Sequence, residues 1–127
     1  MRYGTSKEVA LPFEQAVAKV TEELKKEGFG VLTTIDMQDT LKKKMNVDVQ
    51  RYTILGACNP PFAYRSLQAE EEMGLLLPCN VIVYERDGRT RMSVFDPMVM
   101  TVIVENDAIV PVALEVKARL ERVIAAM

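Results

Sequence analysis

Histidine is absent from this 127-residue chain, and that absence removes more chemistry than any residue present supplies. Without an imidazole there is no Ser-His or Cys-His nucleophile system, and the commonest metal ligand is gone. Cysteine is nearly as scarce. Cys58 and Cys79 are the only two, they form no Cys-x-x-Cys spacing, and together they cannot close a structural zinc site. No metal and no cofactor are therefore expected. Long apolar runs are missing too: stretches such as Met98 to Val104 fall far short of the ~20 residues a membrane span needs. The six glycines are scattered and build no phosphate loop. Uncompensated basic charge is also lacking. A net charge of −2 and a pI near 5.2 argue against a nucleic-acid surface, which needs clustered Lys and Arg.

What is there belongs to an ordinary folded domain. With 49% hydrophobic and 27% charged residues the chain is globular rather than disordered, and its length suits one domain over residues 1–127. A chain of this size buries roughly two thirds of its unfolded surface and needs neither a disulfide nor a metal to fold. The two cysteines accordingly read as cytosolic thiols. Met1 to Lys7 has no apolar stretch after a basic start, so no secretory signal is expected and the expected compartment is the cytoplasm.

Along the chain, Arg2 to Val9 reads as a first strand. Leu11-Pro12-Phe13 opens a helix whose buried face is Phe13, Ala16, Val17, Val20 and Leu24, with Lys25 and Lys26 in the last turn and Gly28 at its left-handed end. Phe29 to Ile35 is a strand, with Val31, Thr33 and Ile35 expected on one face. Asp36 caps a short helix carrying Met37, Leu41 and Met45 on one side and Lys42, Lys43 and Lys44 on the other. Those lysines are either an anion patch or a solvated face, and the flanking Asp36, Asp39 and Asp48 favour the second. Tyr52 to Ala57 is a strand containing Gly56, a residue that marks close backbone approach in a sheet. Asn59 is placed as an N-cap ahead of Pro60, Pro61 and the stripe Phe62, Ala63 and Leu67, with Gly74 ending that segment.

Cys79 to Arg86 and Arg89 to Phe95 form a hairpin about Asp87-Gly88, a pair suited to a type I′ turn. That turn sets Val81 opposite Val94 and Val83 opposite Met92 on the core face. Asn80, Ile82, Tyr84, Arg91 and Phe95 then share the other face, which is too apolar for a purely wet surface and points to a partner subunit or another element. Asp96-Pro97 breaks the strand, and Met98 to Val104 fits an edge strand or irregular chain. A last helix begins between Ala108 and Pro111 and buries Val112, Ala113, Val116, Leu120, Val123 and Ile124. The expected fold is α+β: two layers, a mostly antiparallel five-stranded sheet with two main helices on one face.

Few residues carry chemistry. Cys58 stands between a strand and a helix N-terminus, where the dipole favours a thiolate. Against a reactive thiol, Pro60 and Pro61 remove two backbone donors and no histidine serves as base. Cys79 begins a core-facing run and reads as a small buried hydrophobe. Tyr84 and Arg91, nearly opposite in the hairpin, suit a cation–π pair or, with Asn80, a ligand surface. Carboxylate groups such as Glu70-Glu71-Glu72 fall in solvated stretches with nothing to raise a pKa.

Gly56-Ala57-Cys58-Asn59-Pro60, Gly74-Leu75-Leu76-Leu77-Pro78-Cys79-Asn80-Val81, Asp96-Pro97 and the earlier Glu27-Gly28-Phe29-Gly30-Val31-Leu32 together resemble the domain-of-unknown-function 302 family. The resemblance spans nearly the whole chain. It implies a compact α+β fold similar to half of the TATA-box-binding-protein saddle, ordered strand, helix, four strands, helix, and a homodimer. It brings no activity, so no catalytic residue is carried over. The expectation is a small homodimeric binding or interaction module, open to a small-molecule ligand through Asn59, Asn80, Ile82, Tyr84, Arg91 and Phe95. The rival is a thiol-dependent enzyme or sulfur carrier using Cys58, and nucleic-acid binding stands third.

Overall fold

A computed structural model describes all of residues 1–127. Five strands, β1 (Gly4–Val9), β2 (Gly30–Asp36), β3 (Tyr52–Cys58), β4 (Cys79–Arg86) and β5 (Arg89–Phe95), form one sheet in the order β1-β5-β4-β3-β2, and every pairing is antiparallel. The helices are α1 (Phe13–Lys26), α2 (Met37–Met45), α3 (Pro60–Ala69), α4 (Met98–Ile103) and α5 (Ile109–Ala126), with a 3-10 turn over Glu71–Leu76. This is the expected α+β arrangement. The apolar stripes of α1 and α5 meet Leu55, Ala57, Val81, Val83, Met92 and Val94 in one core, because alternation along β3, β4 and β5 sends those side chains to a single face.

The hairpin adopts its expected register, Val81 opposite Val94 and Val83 opposite Met92. Asp87 and Gly88 both have positive φ, at 53° and 75°, as a type I′ turn requires. Asp36 caps α2, its carboxylate accepting from the Asp39 amide at 3.0 Å. Lys42 and Lys43 pair with Asp48 and Asp39 on an exposed face.

Four expectations are corrected. Val31 and Thr33 do not share a face: a bulge at Leu32 sets Val31 opposite Ala57, toward the core, and Thr33 opposite Gly56, away from it. An extra residue in one strand reverses the alternation beyond it. Met98–Ile103 is a helix and not an edge strand, started by Asp96, whose carboxylate accepts from the Met98 amide at 2.9 Å. Gly74 does not end a segment, since it lies inside the 3-10 turn that follows α3. Asn59 occupies the N-cap position of α3 but makes no capping bond there.

Candidate functional site

At the β3–α3 junction, three elements converge and fail to close. Ala57, Cys58 and Cys79 form the end of the sheet, Phe62, Ala63, Ser66 and Leu67 come from α3, and Val112 and Val116 from α5. Between them lies a cavity of about 300 Å³, bounded also by Phe29, Leu32, Leu77, Pro78 and Met100, with 12 of its 16 lining residues hydrophobic. That volume is at the lower end of small-ligand sites. At ~30 Å³ per water-sized group it takes about ten such groups.

Asn59 stands in one wall of this cavity. Its side-chain amide does not cap α3 but donates to the Glu27 carbonyl oxygen at 3.1 Å. That oxygen ends α1, where carbonyls have no intrahelical donor, and Arg119 of α5 donates to it as well at 3.0 Å. The same guanidinium lies 5.2 Å from the centre of the Phe62 ring, so the chain of contacts from α1 to α5 holds one face of the cavity in place. Gly28, at φ +87°, permits the turn beneath it. Ser66 is buried and spends its hydroxyl on the Phe62 carbonyl at 2.9 Å, leaving little polarity for a ligand.

Both thiols line this cavity, Cys79 buried and Cys58 partly so. Burial pushes the Cys58 thiol up from its ordinary value. Burial, with a smaller contribution from Cys58, pushes Cys79 up to about 11. Burial is the cause of the Cys58 shift, and Pro60 and Pro61, at the first two positions of α3, have no N–H to offer a thiolate. At neutral pH the pair is therefore protonated, polarisable and weakly polar.

The remaining sequence candidates fall elsewhere. Asn80, Ile82, Tyr84 and Phe95 line a shallow groove on the opposite sheet face with Met1, Tyr3 and Tyr52. Tyr84 stacks on Tyr52, centroids 5.5 Å apart and planes 24° from parallel, and makes no cation–π contact with Arg91. Arg91 faces Tyr84 across the hairpin and Glu8 across β1, and its Nε is buried without a hydrogen-bond partner. Phe95, at the strand end, also packs against the core. Asn59 thus separates from the other surface candidates, and the structure joins it instead to Cys58 and Cys79. Sequence reading missed the far wall, Met100 on α4 and Val112 and Val116 of α5. The Asp96-Pro97 pair, a helix-start signal as well as a strand breaker, is what could have found α4.

No helix is long and apolar enough to cross a membrane, and no curated protein matches the chain. One solved structure, "Crystal structure of uncharacterized conserved protein DUF302 from Bacillus stearothermophilus", is similar with a TM-score of 0.91 at 27% identity, covering 99% of this chain and 98% of that one. Residues 5–127 match the family described as "Domain of unknown function DUF302", and the chain belongs to that family.

Proposed function

We propose that this chain is a small binding module that holds a neutral, largely apolar ligand in the cavity beneath α3. The observation that carries the reading is the cavity's lining, apolar on nearly every side and bordered by two protonated thiols. The rival reading, a thiol enzyme or sulfur carrier working through Cys58, needs a lowered thiol pKa, and burial acts in the opposite direction. Calorimetric titration with 1-octanol tests the proposal. A saturable one-to-one heat in the wild type, lost in Ala63→Leu, is expected; the absence of saturation, or the same heat in the variant, would reject it.

The same proposal includes a homodimer formed through the other sheet face. Ile54 faces Ile82 and Tyr52 faces Tyr84 across β3 and β4, Ile35 is 44% exposed and Tyr3 65%, and α1 and α5 pack on the opposite side. At one end of this face Glu8 and Arg89 pair within the chain at 3.2 Å, so the contact rests on the apolar residues, the same patch meeting itself about a two-fold axis. The likeness to half of a TATA-box-binding saddle, supported by an open antiparallel sheet with its two long helices on one side, stands as part of this reading, as does a cytoplasmic location, supported by the two unpaired thiols. Light scattering at micromolar concentration should give a dimer that Ile82→Asp converts to monomer; a monomeric wild type would remove the dimer and leave the cavity proposal standing.

A further inference from the structure

A second apolar surface lies away from both the cavity and the sheet face. The 3-10 turn and the end of α4 enclose an open groove of about 500 Å³ lined by Leu75, Leu76, Ile103 and Val104, with Glu70, Glu72 and Glu105 as its only charged residues. Within it Leu75 is 83% exposed and Ile103 60%. None of the three glutamates takes part in an ion pair. Residues 66–85 and 92–116 contain no Lys or Arg at all. Asn106 donates to the Ala69 carbonyl oxygen at 2.7 Å, tying the segment after α4 to the end of α3.

We infer that this groove docks a basic amphipathic helix of a partner protein, with Leu or Ile on one stripe and Lys or Arg flanking it. Apolar side chains this exposed within a polar rim mark a binding surface, and a helix laid into a groove offers a stripe of apolar anchors with charges beside it. The rim decides the occupant. Anionic membranes and nucleic acids are repelled by uncompensated carboxylates, and the groove is too open to bury a small molecule. In a second copy the apolar stripes of α1 and α5 are buried in their own core, and two of the three adjacent lysines of α2 are already paired with Asp48 and Asp39. A foreign cationic helix meets no such competition and neutralises the rim.

The test uses a fluorescein-labelled synthetic helix of leucine and lysine, a counterpart with glutamate in place of lysine, and fluorescence anisotropy on the full chain. The lysine peptide should bind saturably and weaken about tenfold on going from low to high salt, as exposed charges are screened. Glu70→Lys, Glu72→Lys and Glu105→Lys together should reverse the preference between the two peptides, and Leu75→Ser with Ile103→Ser should abolish binding of both. These positions lie at the surface, and an unchanged melting temperature verifies that each variant folds. Binding that ignores the charge reversal, or no binding of the lysine peptide to the wild type, overturns the inference. So does a change of oligomeric state in either variant, which would assign the groove to a second copy.

Discussion

Asn59 and Glu27 meet through a single hydrogen bond, the Asn59 side-chain amide donating to the Glu27 carbonyl oxygen at 3.1 Å. The contact joins the start of α3 to the end of α1 and fixes the cavity wall beside Cys58. Removing a donor from a fully buried carbonyl costs about 1–3 kcal/mol, and less is expected here because the contact is partly buried and Arg119 also donates to that oxygen. Asn59→Ala should lower stability by about 1 kcal/mol in urea unfolding. Asn59→Asp should cost more, because it sets a carboxylate against a carbonyl. Equal stability of all three proteins would show that the bond contributes nothing.

Gly56 sits where β2 and the chain before β4 close in. A Cβ there would collide with the Thr33 hydroxyl and lie 2.8 Å from Pro78 Cγ. Gly56→Ala should destabilise the protein by about 1–3 kcal/mol through overpacking, with Thr33→Ser recovering little, since its hydroxyl remains. A neutral Gly56→Ala in thermal unfolding would contradict this packing.

Cys79 makes stability depend on alkaline pH. Its thiol moves from 9.0 to about 11 on folding, so between those values the unfolded chain has released the proton and the native one has not. Stability from this group is complete below pH 9 and falls as pH rises toward 11, by about 2–3 kcal/mol at ~1.4 kcal/mol per unit. Comparing wild type with Cys79→Ala isolates the effect: the variant starts less stable and should lose less over that window. Parallel stability–pH curves would place the thiol in contact with water.

Cys58 is the more reachable thiol, and burial raises its pKa too. Its alkylation by iodoacetamide should be slow at neutral pH and still climbing above pH 9.0, the value of an unperturbed thiol. A rate that levels off below neutrality would restore the thiolate reading.

Much of the fold was legible because burial imposes a period. Val20 and Leu24, Val116 and Leu120, and Val81, Val83, Met92 and Val94 each follow the spacing of the face they bury, and Asp87-Gly88 fixed the hairpin register. The bulge at Leu32 left no mark, since one inserted residue keeps the composition while reversing the faces. The helix over Met98–Ile103 was obscured by Val99, Thr101, Val102 and Ile103, whose branched side chains favour strands. The candidate site was half visible: Cys58, Asn59 and Cys79 drew notice as residues, but their common cavity depends on α3 and α5 crossing at long range. Asn59 shows why, since its bond goes to Glu27 rather than to the neighbouring helix.

The most direct measurement is an NMR titration of the labelled chain with 1-octanol. Saturable shifts are expected at the amides of Cys58, Ala63, Leu67 and Val116, with Asn80, Ile82 and Tyr84 unmoved. Shifts confined to the sheet groove around Tyr84, or none at all up to the solubility limit, would contradict that expectation.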